Sequence, residues 1–261
     1  MAATKEPRGE ERSVERVGGA TIGGAPIAYI IVWGAALAVL SFVPMPVSAI
    51  LGIGGTFPIS QALYALVGMI LGPTAGALAA GIGRLIGIFT APHTAAAGIP
   101  SMVIAMVWAA AGGILVQKRS RAWIVALVVF ALAYVAYVGR ALTVDVSPGL
   151  ALQTTLTNLS GIILWLLPTR ILAREWISDQ GAAKLTAGLA LGCWIVNACG
   201  HTFANALLYY LNPWPANIWR ILIPIIPAEQ LFRTIVGAVV GVGVISGLRA
   251  IGLPKPAQAG Y

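Results

Sequence analysis

The residues of this sequence that could do chemistry lie in two short stretches near its end. In NACGHTFAN, Asn197, His201 and Asn205 follow one another at intervals of four residues. Four residues advance an α-helix by roughly 400°, so these side chains share one helical face. Glu229 and Arg233 have the same spacing. Amide, imidazole, carboxylate and guanidinium groups in such a set can hydrogen-bond a solute or carry a proton.

These polar groups stand in a very apolar sequence. Apolar residues make up 59% of the chain and charged residues 9%, with a mean hydropathy of +0.89. A water-soluble domain of this composition would have too little polar surface to cover its core. The sequence therefore predicts an all-α integral membrane protein. Cys193 and Cys199 lie six residues apart in one apolar segment, on roughly opposed helix faces, which argues against a disulfide or a metal site.

Apolar runs bounded by Pro, Gly or charged residues predict a compact bundle of about eight transmembrane helices. Their expected ranges are 25–43, 59–71, 73–90, 98–116, 122–141, 150–172, 185–211 and 222–250. The pair Gly72-Pro73 separates the second range from the third, because proline is tolerated in the first turn of a helix but not in its interior. One kinked helix over 59–90 is the alternative.

The distribution of cations predicts the orientation. With both termini in the cytoplasm, the inner side holds Lys5, Arg8, Arg12, Arg16, Lys118, Arg119, Arg121, Arg170, Arg174, Lys184, Arg249 and Lys255. The outer loops hold Arg140 and Arg220, which agrees with the positive-inside rule. We expect a disordered cytoplasmic tail over 1–24, a single transmembrane domain over 25–251 and a cytoplasmic tail over 252–261. The net charge of +8 then reflects topology and anionic lipid, and no nucleic acid is expected.

The polar residues inside the predicted spans concentrate toward the outer side. This set comprises Arg84, Asn158, Asn197, His201, Asn205, Glu229 and Arg233. Each must face protein or water, because an unsatisfied polar group in hydrocarbon costs several kcal/mol. One interpretation is that these groups bond neighbouring helices, with Glu229 and Arg233 as an internal ion pair. The other is that they line an outward-facing solute site, with Trp214 stacking on a ring or anchoring the interface.

Several kinds of chemistry lack the residues they need. The chain has no G-x-x-x-x-G-K-[ST] motif for ATP phosphates and no G-x-S-x-G nucleophile elbow. Its two histidines, His93 and His201, form no H-E-x-x-H motif, and its two aspartates, Asp145 and Asp179, fall in loops. We therefore expect neither an enzyme nor a resident cofactor or metal. Binding or transport of a solute is the class of function that these exclusions leave.

Two stretches resemble the substrate-binding S components of energy-coupling factor (ECF) vitamin transporters. The first is ISQALYALVGMILGPTAGALAAGIGRLIGIF, from Ile59, and the second is IPAEQLFRTIVGAVVGVGVISGLRAIG near the C-terminus. The resemblance implies a subunit of a bacterial plasma membrane that captures a vitamin or cofactor precursor outside. It also implies uptake driven by a transmembrane coupling protein and two cytoplasmic ATPases, with the loop 44–58 as a lid over the site.

Two features of the chain bear on that resemblance. Small residues at Gly34 and Ala38 would match the family's partner-binding motif on its first helix, although packing within the chain explains such a stripe equally. Members of the family typically have six helices, so the ranges 122–141 and 150–172 are the expected extra pair. No histidine lies near the N-terminus, which disfavours a metal cargo. A proton-coupled secondary transporter that uses Glu229 and His201 is the alternative function.

Overall fold

The structure, a computed structural model, describes residues 20–46, 56–118, 120–212 and 214–261 of the 261-residue chain. The α-helices in these ranges are α1 (Ile27–Leu40), α2 (Tyr64–Leu71), α3 (Pro73–Thr90), α4 (Pro100–Val116), α5 (Ala122–Leu142), α6 (Pro148–Leu166), α7 (Thr169–Ser178), α8 (Ala182–Leu211) and α9 (Ala216–Ala250). A short antiparallel hairpin, β1 (Thr21–Ile22) with β2 (Ala25–Pro26), precedes α1. Single 3-10 segments at Ile59–Leu63 and Pro92–Thr94 precede α2 and follow α3.

Length and surface composition show how these helices relate to a membrane. Five of them, α3, α5, α6, α8 and α9, are long and apolar enough to cross a bilayer, whose hydrocarbon core takes about 20 helical residues. Large apolar side chains remain exposed along α5, where Val125, Leu132 and Val135 are each more than 60% exposed. Such a surface is unfavourable in water and favourable in lipid. This is an all-α, multi-pass membrane protein.

The break at Gly72 and Pro73 separates two helices, so the chain does not form one kinked helix there. α2 ends at Leu71, and Gly72 has a φ of 87°, which glycine adopts without steric cost. Pro73 then occupies the first turn of α3, where its missing N–H leaves no bond unmade. The predicted boundary between 59–71 and 73–90 therefore agrees with the structure.

A second proline divides the range 150–172, for which the sequence predicts one span. α6 ends at Leu166, and Leu167 is extended with a ψ of 165°. A residue before proline avoids the helical region, so Pro168 ends α6 and α7 begins at Thr169. α7 is a separate ten-residue helix that packs mainly against α8.

α2 lies at the centre of the bundle and is held there by close helix contacts. All eight of its residues are buried. A Cβ at Gly68 would overlap the Ala109 carbonyl of α4 and would lie 2.7 Å from the Gly113 nitrogen, so the two backbones are in direct contact. A Cβ at Gly76 would lie 2.7 Å from the Gly68 Cα, which brings α3 equally close. By contrast, α5 and α6 pack against α8, and α6 also packs against α9.

The small residues of α1 mediate contacts within the chain. Gly34 and Ala38 are buried, and a Cβ at Gly83 of α3 would lie 2.7 Å from the Gly34 carbonyl oxygen. The same Cβ would lie 3.4 Å from the Ala38 nitrogen. This face of α1 is covered by α3, so packing within the chain accounts for the stripe. The partner interface that the family resemblance implies at Gly34 and Ala38 stays a prediction.

One end of the bundle, called here the tail end, collects the hairpin, the Gly72 turn, the loop after α4 and the last ten residues. The sequence predicts a tail over 252–261, and the structure packs this segment against the helices. The Ala257 and Gly260 nitrogens donate to the carbonyls of Gly24 and Met69, each at 3.0 Å. The Ser178 hydroxyl donates to the Gly260 carbonyl at 2.7 Å. Residues 1–19 of the predicted N-terminal tail lie outside the described residues.

Candidate functional site

The opposite end of the bundle, called here the cavity end, contains a cavity. The C-terminal half of α8, the N-terminal halves of α4 and α9 and the 3-10 segment before α2 supply most of its wall. Its polar lining consists of Gln61, Ser101, His201, Asn205, Glu229 and Arg233. Phe57, Trp108 and Trp214 contribute aromatic surface. The space that water molecules could fill is about 50 Å³, which corresponds to roughly three or four waters.

A charged cluster forms one wall of the cavity. Arg233 Nη2 donates to Glu229 Oε2 at 3.0 Å and to Gln61 Oε1 at 3.1 Å. His201 Nε2 lies 3.7 Å from the same carboxylate oxygen of Glu229. Glu229 is 3% exposed and Arg233 1% exposed, so the pair is desolvated and must be held by such contacts. The expected ion pair within α9 exists, and it also faces the cavity.

These contacts leave hydrogen-bonding capacity in the cluster. Within the described part of the chain, Glu229 Oε1, His201 Nδ1 and Arg233 Nη1 are buried without a hydrogen-bond partner. Buried polar atoms are nearly always paired in proteins, because an unpaired atom keeps the full cost of its desolvation. The cluster can therefore offer an acceptor, a ring nitrogen and a guanidinium donor to a bound molecule.

The helix that carries this pair contains two prolines in its N-terminal half. Pro224 and Pro227 lie inside α9, five and two residues before Glu229. Each lacks the N–H that would bond the carbonyl four residues earlier. The first turns of α9 also supply Ile218 and Leu222 to the cavity wall. This part of the wall has fewer helical hydrogen bonds than the rest of α9.

The polar residues on one face of α8 have two different roles. They are Asn197, His201 and Asn205. His201 and Asn205 line the cavity, as the sequence predicts for a solute site. Asn197 does not line it, and its Oδ1 accepts a 3.0 Å hydrogen bond from the indole nitrogen of Trp108. The Trp108 ring in turn lies 5.4 Å from the guanidinium carbon of Arg233, a cation–π distance. Asn197 therefore orients an aromatic wall of the cavity from behind.

Two other predicted site residues also lie behind the cavity wall. Asn158 Nδ2 of α6 donates to the Thr202 hydroxyl of α8 at 3.1 Å, which is a contact between neighbouring helices. Arg84 Nε of α3 donates to the Ser101 hydroxyl at 2.7 Å, and its Nη2 donates to the Thr94 carbonyl at 3.0 Å. Ser101 lines the cavity, whereas Arg84 does not. Arg84 therefore holds the loop between α3 and α4, and it reaches the cavity through Ser101.

Aromatic residues close the cavity end beside α8. Trp214 lines the cavity, and its carbonyl accepts a hydrogen bond from the Tyr209 hydroxyl at 3.1 Å. Trp219 is fully buried, stacks on Tyr137 with ring centroids 4.9 Å apart and donates to the Tyr209 hydroxyl at 3.1 Å. Of the two tryptophans near this end, Trp214 is thus the one available to a solute.

The loop expected to act as a lid is described at its two ends. Met45 donates from its backbone nitrogen to the Phe57 carbonyl at 2.7 Å, and Pro44 and Pro58 form an antiparallel bridge. These contacts hold the two ends of the loop together and place Phe57 in the cavity wall. Residues 47–55, which include the glycines expected to give the lid mobility, lie outside the described residues.

Sequence reasoning missed two polar lining residues, Gln61 and Ser101, and the aromatic Trp108, besides the aliphatic part of the lining. Gln61 and Ser101 each stand in the first turns of an apolar segment at the cavity end, and that position was the available signal. Trp108 lies within α4 and nothing in its local sequence distinguishes it from a core residue.

No metal site emerges in the ranges that the structure describes. They contain no group of three His, Cys, Asp or Glu side chains suited to a metal ion, and the buried cysteines Cys193 and Cys199 are free thiols. Comparison of the chain with protein-family models, with curated protein sequences and with solved structures finds no match. The geometry of the cavity is therefore the basis for assigning a function.

Proposed function

We propose that this chain is the membrane-embedded substrate-binding subunit of an ECF-type transporter. In this role it captures a small organic solute, a vitamin or cofactor precursor, from outside the cell. A transmembrane coupling protein and two cytoplasmic ATPases then drive uptake, because the chain itself has no ATP-binding motif. The membrane is the plasma membrane of a bacterium.

One observation carries this proposal, namely the cavity at one end of a membrane bundle with a charged cluster in its wall. Solute sites are typically apolar concavities with a few convergent polar groups. Here aromatic and aliphatic side chains surround Asn205, His201 and the pair of Glu229 with Arg233. Polar groups buried at membrane depth are costly, and a polar ligand would use the atoms that have no partner in the protein.

The charge distribution supports the proposed orientation. Among the described residues, the tail end carries Lys118, Arg121, Arg170, Arg174, Lys184, Arg249 and Lys255. The cavity end carries Arg140 and Arg220 near the helix ends, besides the buried Arg84 and Arg233. By the positive-inside rule the tail end faces the cytoplasm and the cavity end faces outward. The described parts of the two terminal segments meet at the tail end, where Ala257 bonds to Gly24, so both termini are proposed to be cytoplasmic.

The arrangement of helices supports the same proposal at the level of architecture. Eight membrane segments follow when α1, the segment Ile59–Leu71, α3, α4, α5, α6, α8 and α9 each cross the bilayer. A six-helix core then remains when α5 and α6 are set aside. Both helices pack against α8, and neither contributes a residue to the cavity lining.

The cavity volume implies that a solute needs the site to open. About 50 Å³ holds only a few water molecules, whereas pockets for organic ligands typically measure roughly 300 Å³ or more. We expect the start of α9 and the segment around Trp214 to move, because Pro224 and Pro227 remove helical hydrogen bonds there. The structure then corresponds to a closed state.

A pair of asparagine variants tests the proposed function. The full chain is purified in mild detergent, and co-eluting small molecules are identified by mass spectrometry. In Asn205→Leu the solute should be lost or bound at least tenfold more weakly, because Asn205 lines the cavity. Asn158→Leu is the matched control, since Asn158 is equally buried but bonds to Thr202. Equal binding by both variants, or lipid as the only co-eluting molecule, would count against the proposal.

One contact favours a second candidate, a proton-coupled secondary transporter. His201 Nε2 and Glu229 Oε2 lie 3.7 Å apart in the cavity wall, close enough to share a proton with little rearrangement. This candidate predicts that the chain alone in proteoliposomes takes up its solute and that an uncoupler abolishes uptake. The substrate-binding subunit instead binds its solute alone and transports it only with the ATPase module.

A further inference from the structure

The buried charges around the cavity do not balance. Among the described residues, Glu229 is the one acidic side chain that is buried, while Arg84 and Arg233 are both 1% exposed. Glu229 is paired with Arg233. Arg84 bonds to the Ser101 hydroxyl and the Thr94 carbonyl, which are both uncharged. The segment 47–55 contains no Asp or Glu. One buried positive charge therefore has no acidic partner nearby.

Arg84 also has unused hydrogen-bonding capacity. Its Nη1 is buried without a hydrogen-bond partner among the described residues. A buried guanidinium keeps its charge, because arginine does not lose its proton in proteins. Its desolvation is thus compensated by hydrogen bonds to dipoles alone, which is unfavourable compared with a bound anion.

Ser101 connects this charge to the cavity. The Ser101 hydroxyl accepts the Arg84 Nε hydrogen bond at 2.7 Å, donates to the Gly98 carbonyl at 2.6 Å and forms part of the cavity wall. Arg233 lines the same cavity as Ser101. The two guanidiniums thus act on one region of the protein, in which attraction between opposite charges is screened only weakly.

We propose that the solute is an organic monocarboxylate whose carboxylate binds on the Ser101 side of the cavity. This inference rests on the proposed function and adds the charge of the substrate. A single negative charge neutralises the excess of one cation, whereas a phosphate dianion would leave a buried negative charge. The rest of the molecule lies against Phe57, Trp108 and Trp214, and Asn205 bonds to one of its polar groups.

Matched acids and neutral analogues test the charge of the substrate. The probes are biotin with biotinamide, nicotinate with nicotinamide, pantothenate with panthenol, and lipoate with lipoamide. Thermal unfolding of the purified full chain is measured with each compound. At least one acid should raise the melting temperature, and its affinity should exceed that of its neutral partner by about tenfold or more, as loss of a charge-assisted hydrogen bond implies.

Variants of Arg84 and Ser101 test whether the preference for the acid over its neutral analogue comes from the Arg84 charge. Arg84→Gln should bind the acid and the neutral compound equally, whereas Arg84→Lys should still prefer the acid. Ser101→Ala retains the Arg84 charge but removes the acceptor that links it to the cavity wall, so it serves if Arg84→Gln does not fold. This variant should bind the acid about tenfold more weakly.

Three results would overturn the proposal: binding of a neutral compound as tightly as its acid, undiminished acid binding in both Arg84→Gln and Ser101→Ala, or no binding by any acid. The proposed function as a solute-binding subunit is tested independently of the charge of the solute. A neutral solute that co-elutes with wild type and is lost in Asn205→Leu would refute the monocarboxylate while it supports a solute-binding subunit.

Discussion

The tail end and the cavity end of the bundle satisfy their polar groups in different ways. At the tail end, Arg249 donates to the carbonyls of Asp179 and Ile177 at 2.9 and 3.1 Å. These bonds tie the end of α9 to the loop before α8. At the cavity end, Glu229 and Arg233 retain buried atoms without partners. Arg174 Nε is the one such atom among the described tail-end residues. Hydrogen bonds that are made stabilise one conformation, whereas an unpaired buried atom keeps a desolvation cost that a ligand can remove.

The two ends of the bundle also differ in the solvent exposure of their ion pairs. The tail-end ion pair of Lys184 with Asp179 spans 2.9 Å, and its side chains are 61% and 33% exposed. The cavity-end pair of Arg233 with Glu229 spans 3.0 Å, with side chains 1% and 4% exposed. Water therefore screens the first pair and not the second. The two ion pairs have nearly equal N···O distances. Removing them should nevertheless lower the free energy of unfolding by very different amounts.

The largest expected effect comes from breaking the cavity-end pair. Glu229→Leu leaves the Arg233 charge buried and uncompensated, so the free energy of unfolding should fall by about 3–5 kcal/mol. Unfolding can be followed with a thiol-reactive fluorescent dye, because Cys193 and Cys199 are fully buried in the folded state.

Two further variants complete this test. The double variant Glu229→Leu with Arg233→Met removes both charges and should recover most of the lost stability. Lys184→Met breaks the exposed pair at the tail end and should leave the unfolding transition unchanged. Equal losses in the single and double variants would show that the ion pair is not the source of the cost.

The next largest effect should come from the close crossing of α2 and α4. Gly68→Ala places a methyl group against the Ala109 carbonyl and the Gly113 nitrogen. Backbone atoms cannot yield as a flexible side chain can, so the protein should lose about 2–3 kcal/mol of stability. Gly243→Ala in α9 is the control, because nothing lies within 4 Å of its Cβ. A stable Gly68→Ala protein would show that the two helices lie further apart than described.

A smaller effect should follow from removing the support behind the cavity wall. Asn197→Leu leaves the buried indole nitrogen of Trp108 without its acceptor, which should cost about 1–3 kcal/mol. Because Trp108 lines the cavity, solute affinity should also fall, although Asn197 itself does not line it. Asn217→Leu changes an exposed asparagine at the beginning of α9 and should alter neither quantity. Reduced stability with unchanged affinity would show that Trp108 does not contact the solute.

The smallest effect is expected at the tail-end carboxylate. The hydrogen bond from Lys184, with that from the Gly181 nitrogen, lowers the pKa of Asp179 below its ordinary value. A lowered pKa contributes stability above the ordinary value of about 3.9, and that stability is lost as the pH falls through the lowered value. The difference in melting temperature between wild type and Asp179→Asn should therefore be constant from pH 7 to pH 5. A difference that shrinks within this range would show that Asp179 titrates there.

Local sequence determined where most helices begin and end. Gly72 and Pro73 separate two helices because one tolerates a positive φ and the other cannot continue a helix. The same local rule applies at Pro168, where the predicted single span was wrong because the effect of the proline was overlooked. The placement of polar residues toward one end also followed from sequence, because the depth of a residue depends on its distance from the end of its helix.

The tertiary structure alone decided which polar side chains meet. Spacing puts Asn197, His201 and Asn205 on one face of α8, but the crossing of α8 with its neighbours directs Asn197 to Trp108 and leaves the other two in the cavity wall. Likewise Gly34 and Ala38 form a small-residue face in sequence, and only packing shows that α3 covers it. Helical periodicity fixes the direction of a side chain relative to its own axis, whereas its neighbour depends on how separate helices fit together.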